Sequence, residues 1–319
     1  MSILLIMDAI NNGTINYDTK IPCSENAASM GGSQIWLDTT ESLSVNDMLK
    51  AICVVSANDC VVAMAEYLGG TEENFVNMMN QKAKELGMND TTFKNCHGID
   101  EDGHETSSYD ISLMSKELLN KYPEITKYTT IWSDSLREGK SELINTNKLV
   151  HNYNGCTGLK TGSTSQALFN LSASATRDNL SLIAVVMKAP TSKLRFSNAT
   201  NLLNYGFNNF EYKSLAKKGD IITNIPINKG NKSSLAIIVN HDVGIITAKG
   251  YCNNIDQKLT LNNNISAPIN EGDILGSIEY SVDNTTLTSS DIVAQTSIKK
   301  ISIWNMISNI YYKWFNILR

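Results

Sequence analysis

The chain has 319 residues, 42% of them hydrophobic and 18% charged, which suits one large folded domain or two ordinary ones and excludes a disordered segment. A formal charge of −5, a pI near 5.5 and the lack of any basic run argue against a protein that neutralises nucleic-acid phosphate, and leave a small or peptide partner. The six cysteines (Cys23, Cys53, Cys60, Cys96, Cys156, Cys252) contain no Cys-x-x-Cys pair, so they read as small buried apolar residues rather than a zinc ribbon or a disulfide framework.

Residues 1–10 (MSILLIMDAI) are apolar but have no basic start and no small-residue cleavage site, and Asp8 interrupts them, which predicts a core helix rather than a targeting segment. Across 44–68, Val45, Met48, Leu49, Ile52, Val55, Val62, Met64, Ala65 and Leu68 recur at helical spacing, broken by Ser56-Ala57-Asn58-Asp59. The pattern predicts two helices meeting at a polar junction. A third helix covers 71–86, with Thr71 as its N-cap, glutamates in its first turn and Gly87 as its stop. Residues 95–108 are turn-rich, and a fourth helix follows over 109–120.

The period then changes. Residues 169–175 alternate, Arg177-Asp178-Asn179 turns the chain, and 181–187 form a second apolar run, which together predict an antiparallel hairpin. A helix over 194–210 completes an α+β domain assigned to residues 1–212. Short runs at 221–227, 234–239, 243–248 and 274–280, separated by Gly and Asn turns, predict a small all-β domain over 213–295. The tail, 296–319, reads as an amphipathic helix with Ile303, Trp304, Ile307, Ile310, Tyr311, Trp314 and Leu318 on one face. Its only charges are basic, Lys299, Lys300, Lys313 and Arg319. Asn305, Ser308 and Asn309 argue against a membrane span, and the pattern suits a helix lying in an anionic membrane interface. Packing against its own β domain is the alternative.

Two short motifs carry chemistry: Ser56-Ala57-Asn58 at the helix junction, and Lys160-Thr161-Gly162 followed by Ser163-Thr164, about a hundred residues later. A hydroxyl and an amide at such a junction can shuttle a proton and hold a peptide carbonyl. A Lys-Thr-Gly strand edge supplies positive charge and free backbone N–H groups, and Gly162 lets a peptide lie close against it. With Gly31-Gly32-Ser33, the stretches 75–87 and 91–98, Gly103-His104 and Asp110, these motifs resemble the low-molecular-mass, penicillin-binding D-Ala-D-Ala carboxypeptidases, peptidase family S11. The resemblance runs over nearly the whole chain.

That resemblance implies a penicillin-binding/β-lactamase-like transpeptidase domain with an antiparallel sheet and helices, followed by the family's β domain and membrane-anchoring tail. It implies a serine carboxypeptidase that removes the terminal D-alanine of peptidoglycan stem peptides through an acyl-enzyme. Such an enzyme binds β-lactams, needs no cofactor or metal, and works outside the cytoplasmic membrane, tethered to it. By resemblance, Ser56 relays a proton to the leaving nitrogen, Asn58 holds the substrate backbone and Lys160 places positive potential beside Ser56. Thr161 with Ser163 or Thr164 binds the terminal carboxylate, and the Ser163 N–H forms half of an oxyanion hole. Arg195 stands either at the pocket edge, attracting that carboxylate, or on the surface as a solvated side chain.

One departure stands out. The family's nucleophile belongs to a Ser-x-x-Lys motif immediately before a stretch resembling residues 1–10. The expectation is therefore a chain that starts past its nucleophile and is by itself inactive, with a non-catalytic peptidoglycan-peptide or penicillin binder as the alternative. Ser214-Leu215-Ala216-Lys217 and Ser297-Ile298-Lys299-Lys300 fit the pattern but lie far along the chain from the motifs they would serve. A β-lactamase shares the signatures but generally lacks a following β domain and tail. His97 and His104 around Asp100, Glu101 and Asp102 look like a metal loop, yet the spacing is that of no helical His pair and the family has a structural turn here. His151 reads as a loop histidine bonded to backbone, and the lack of a Gly-rich phosphate loop removes nucleotides from consideration.

Overall fold

A computed structural model describes residues 1–251, 255–304 and 307. The chain divides between Asn208 and Asn209 into two compact units, each with its own hydrophobic core.

In the first unit α1 (Ser2–Asn11) is apolar on most faces because it is a core element: Leu4, Ile6 and Met7 are at most 1% exposed. Its one charge, Asp8, is received by Lys121 at 2.7 Å, Lys82 at 2.9 Å and the Tyr122 hydroxyl. Burial disfavours that carboxylate, but the three donors outweigh it and lower its pKa. The chain continues through β1 (Lys20–Pro22), α2 (Glu25–Ala28) and β2 (Ser42–Ser44), with β1 and β2 antiparallel.

Next come α3 (Val45–Val54), α4 (Asn58–Gly69), α5 (Glu72–Glu85) and α6 (Ser108–Lys121). Ser44 caps α3: its Oγ accepts from the Asp47 N–H at 3.1 Å and donates to Asp47 Oδ2 at 2.7 Å. Thr71 and Ser107 cap α5 and α6 in the same way. After a 3-10 turn (Pro123–Ile125) come α7 (Thr126–Thr129), β3 (Ser133–Leu136), β4 (Ser141–Ile144) and α8 (Leu149–Asn152).

The main sheet is antiparallel, in the order β5 (Cys156–Thr164), β6 (Leu168–Arg177), β7 (Leu180–Ala189), and α9 (Ser192–Asn209) follows it. Lys160 pairs with Ser172 and Ala173 with Ala184. No described strand pairs with the outer edge of β5.

The second unit holds β8 (Phe210–Ala216), β9 (Ile221–Pro226), β10 (Ser234–Val239), β11 (Val243–Ala248), β12 (Asp256–Leu261), β13 (Ile274–Val282) and β14 (Thr285–Ala294). They form a five-stranded sheet, β12-β13-β14-β10-β9, and the pair β8–β11, around Ile237, Val239, Ile278, Tyr280 and Ile292. The anchor-helix reading of 296–319 falls mostly outside the described residues. Among those described, no helix is long and apolar enough to cross a membrane.

Candidate active site

The site begins at the break between α3 and α4. Ser56 takes φ +64, a left-handed conformation that a non-glycine residue adopts at a cost of about 1–3 kcal/mol, and it turns the chain out of one helix and into the next. Asn58, the first residue of α4, donates its backbone N–H to Ser33 O at 2.7 Å and its Nδ2 to Gly31 O at 2.8 Å. Gly32 lies against that amide at φ +80, where an added Cβ would fall 2.8 Å from Nδ2. Fully buried Asp59 accepts the N–H groups of Ile35 (3.1 Å) and Leu37 (3.0 Å) on one oxygen. The Gly-Gly-Ser loop is thereby laced to the first turn of α4.

Lys160 reaches Ser56 from β5. Its Nζ donates to Ser56 Oγ at 2.7 Å and to the Thr161 carbonyl at 2.8 Å. Enclosure of the ammonium by protein, with Arg195 adding repulsion, lowers its pKa to about 8. Such an amine, touching a hydroxyl, can give or take a proton near neutral pH.

The inner half of β5 is fixed by hydroxyls that carry no sequence signature. Thr161 Oγ1 pairs with Thr146 Oγ1 at 2.7 Å, and Thr129 Oγ1 donates to Thr157 O at 2.6 Å. Gly158 packs against Thr129 so closely that a Cβ there would fall 2.6 Å from the threonine's Cβ. Further along, Arg195 donates from Nη1 to Gly162 O (3.1 Å) and Asn170 O (3.2 Å). It is 7% exposed, beneath the sheet edge and beside Phe169 and Phe196. The solvated-arginine alternative is therefore wrong: Arg195 braces the Lys-Thr-Gly backbone. Ser163 is exposed on the outer half, whereas Thr164 Oγ1 accepts from the Ala167 N–H at 2.9 Å and caps the turn.

Ser56, Lys160, Thr161, Gly162 and Arg195 thus form one connected group, and Asn58 stands next to Ser56 with an amide hydrogen committed to the Gly31 loop. A cavity of about 720 Å³ opens beside them, walled by Lys160, Thr161 and Gly162 on one side and Asp100 and His104 on another, with Met114 and Leu118 among its apolar residues. His97 Nδ1 accepts from the Ile99 N–H at 3.2 Å, and His104 meets the Phe93 ring edge-on. His151 stacks on Trp132 with ring centroids 5.0 Å apart, a contact that sequence spacing could not reveal. Ser214 and Ser297 both lie in the second unit. Cys23, Cys53, Cys60 and Cys96 are buried as expected, but Cys156, at the start of β5, is partly exposed.

A Ser-x-Asn turn facing a Lys-Thr-Gly edge strand, on an antiparallel sheet flanked by helices, defines a penicillin-binding/β-lactamase-like domain. Residues 1–191 match the family model described as D-alanyl-D-alanine carboxypeptidase, Peptidase S11, and the chain belongs to that family. Residues 210–300 match the model of the penicillin-binding protein 5 C-terminal domain. The chain is 41% identical to D-alanyl-D-alanine carboxypeptidase DacF of Bacillus subtilis over 98% of its own length and 82% of that protein's. Penicillin binding protein 5 from Haemophilus influenzae superposes with a TM-score of 0.71 at 30% identity, covering 94% of this chain and 88% of that one. Penicillin-Binding Protein D2 from Listeria monocytogenes, in its ampicillin-bound form, gives 0.59 at 29% identity over 65% of this chain and 84% of that one.

Proposed function

We propose that the cleft takes the D-alanyl-D-alanine end of a peptidoglycan stem peptide along the open edge of β5, and serves a serine-type carboxypeptidase reaction in which the terminal D-alanine leaves. The observation that carries this reading is the 2.7 Å contact between Lys160 Nζ and Ser56 Oγ beside that free strand edge. An extended peptide adds to such an edge through main-chain hydrogen bonds. Lys160 supplies positive potential for the peptide's carboxylate, and the hydroxyls of Thr161 and Ser163 supply donors. In this reading Ser56 passes a proton to the departing nitrogen, with Lys160 as the other end of the relay. The Ser163 N–H donates to the oxyanion of a tetrahedral intermediate in this reading. β-Lactams enter as mimics of the same peptide, and the Listeria relatives with ampicillin and cefotaxime bound support this.

These residues bind, relay and polarise, but none belongs to a Ser-x-x-Lys pair. The two such runs in the 319 residues start at Ser214 and Ser297. Acyl transfer here needs a nucleophilic serine that these residues do not place at Lys160. The same groove without one is a reversible peptide binder, and this second reading rests on that single feature. We place the domain outside the cytoplasmic membrane, where stem peptides are found, with the basic amphipathic stretch 296–319 on the membrane surface.

Titration of the 319-residue chain with a tripeptide ending in D-Ala-D-Ala, alongside incubation with a fluorescent penicillin, tests both statements. Saturable peptide binding without a covalent label is expected, with binding weakened by Lys160→Ala. Covalent label on Ser56 would overturn the relay role, and absence of saturable binding would overturn the groove.

A further inference from the structure

The loop between α5 and α6 carries His97, Asp100, Glu101, Asp102 and His104, and the geometry points to a role for Asp100 that involves no metal. The loop is wrapped around the buried side chain of Asn95. Asn95 Oδ1 accepts from the Gly98 N–H at 2.7 Å, and its Nδ2 donates to Ile99 O at 2.9 Å and to Glu101 Oε2 at 3.0 Å. Asp100, between those last two residues, reaches out of the loop. Its Oδ2 accepts from Ser165 Oγ and from the Gln166 N–H, both at 3.0 Å. These are residues of the turn that ends β5. The Thr164 hydroxyl, followed by the Gln166 N–H and Ser165, favours the charged form of Asp100 and lowers its pKa.

The outer half of β5 is therefore fastened on both sides. Ser56 and Thr146 hold Lys160 and Thr161 at the middle of the strand, and Asp100 holds Ser165 and Gln166 just past its end. Between them lie Gly162 and Ser163, both exposed, the part of the edge that a peptide would pair with. Ala167 N–H to Thr164 Oγ1 closes the turn, and Asn170 of β6, whose Oδ1 takes the Lys188 N–H, donates its Nδ2 to Ala167 O and ties the turn to the sheet; Asp100 is the side chain that ties it to the α5–α6 loop.

We propose that Asp100 is a positioning residue, which anchors the Thr164–Gln166 turn so that the Gly162–Ser163 edge is presented to the bound peptide already in register. It acts through the turn and touches no reacting atom. A pre-ordered edge spares the peptide the entropy of ordering the strand end when it binds. The inference rests on the reading of β5 as the peptide groove.

The test uses the whole chain as wild type, Asp100→Ala and Asp100→Asn, with three readouts: affinity for a tripeptide ending in D-Ala-D-Ala, hydrogen exchange of the Gln166 amide, and thermal midpoint. Asp100→Ala should weaken the peptide by about five- to tenfold, the scale of ordering one or two groups. It should also speed Gln166 exchange at an unchanged midpoint, and Asp100→Asn, which keeps an acceptor oxygen, should recover most of the affinity. Faster exchange with unchanged affinity would overturn the inference, since the latch would then shape the turn alone. Unchanged exchange would overturn it too, because no latch would exist. Failure of the wild type to bind the peptide would instead overturn the groove on which the inference rests.

Discussion

Lys160 shows how one buried amine can tie the chemistry of the site to the stability of its domain. Its folded-state pKa of about 8 lies below the usual 10.5. Between those values the unfolded chain keeps a proton that the folded chain has released. The lysine's share of stability is therefore present in full above 10.5, falls as the pH drops through this window, and is lost below 8. Lys160→Met abolishes that burden, so the variant should gain most over wild type at pH 7, by about 2 kcal/mol after allowance for partial solvent contact. The gain should shrink toward pH 10. Urea unfolding of both proteins at several pH values measures it; the raised thiol of Cys96, which does not feel Lys160, cancels in the difference, whereas the Cys53 thiol loses the lysine's charge and is pushed further up in the variant. A gain that grows with pH would contradict the assignment. Asp59 makes the opposite case, that of a buried carboxylate satisfied by backbone. Asp59→Ala strands the N–H groups of Ile35 and Leu37 and should cost about 3 kcal/mol. That corresponds to a fall in thermal midpoint of about 6–12 °C, read by circular dichroism. The sequence showed Asp59 only as the neighbour of a motif, since burial and its two partners arise from folding.

Among the elements, what could be read ahead followed from how one-sided each segment's environment is. The helices α5 and α6 bury one stripe and expose another, and α3 keeps Asn46, Asp47 and Lys50 off its buried stripe, so their 3.6-residue period survives in the sequence, whereas the first two turns of α4 are buried all round. The hairpin of β6 and β7 was legible because β7 is apolar on its buried positions and Leu171, Ala173 and Ala175 alternate with serines along β6. In contrast β3 (SDSL), β4 (SELI) and β12 (DQKLTL) are largely exposed and polar, and the first half of β14 is Thr and Ser around a single Leu287, so none shows alternation. Hairpin β3–β4 is set instead by its turn, where Arg137 and Glu138 take left-handed φ values and Arg137 pairs with Glu41 at 2.5 Å. Caps were partly legible: Thr71 was read, but Ser44, standing before the Val45–Val54 stripe, was not. Ser44→Ala removes the acceptor for the Asp47 N–H and should cost about 1 kcal/mol. A drop of about 2–4 °C in the first domain's melting temperature would show it, and no change would mean that Asp47 or water substitutes.

At the scale of the whole molecule, Ser56 and Lys160 are 104 residues apart in sequence and 2.7 Å apart in space. No periodicity predicts such a meeting; motif order and family resemblance anticipated it, while the braces Thr129, Thr146 and Asp100 escaped because single hydroxyls and a loop acid have no pattern. The division of the chain was legible as a change of texture from helical stripes to short runs between Gly and Asn turns. Its physical basis is that Phe75, Met48 and Ile6 belong to one core and Ile237, Tyr280 and Ile292 to another.

Separate cores predict separable energetics. Ile237 is fully buried in β10, and Ile237→Ala should cost the second unit about 3 kcal/mol through lost burial and the cavity left behind. Spread over a unit of this size, that lowers its transition by about 12–24 °C. Peptide affinity, which depends on Lys160 and the β5 edge in the first unit, should stay within a factor of two. Calorimetry of the full chain, with wild type and variant each titrated with the D-Ala-D-Ala peptide, tests both halves. Two transitions are expected in wild type, of which the substitution moves only one and the peptide raises only the other. One cooperative transition that moves as a whole would mean that the two cores unfold together.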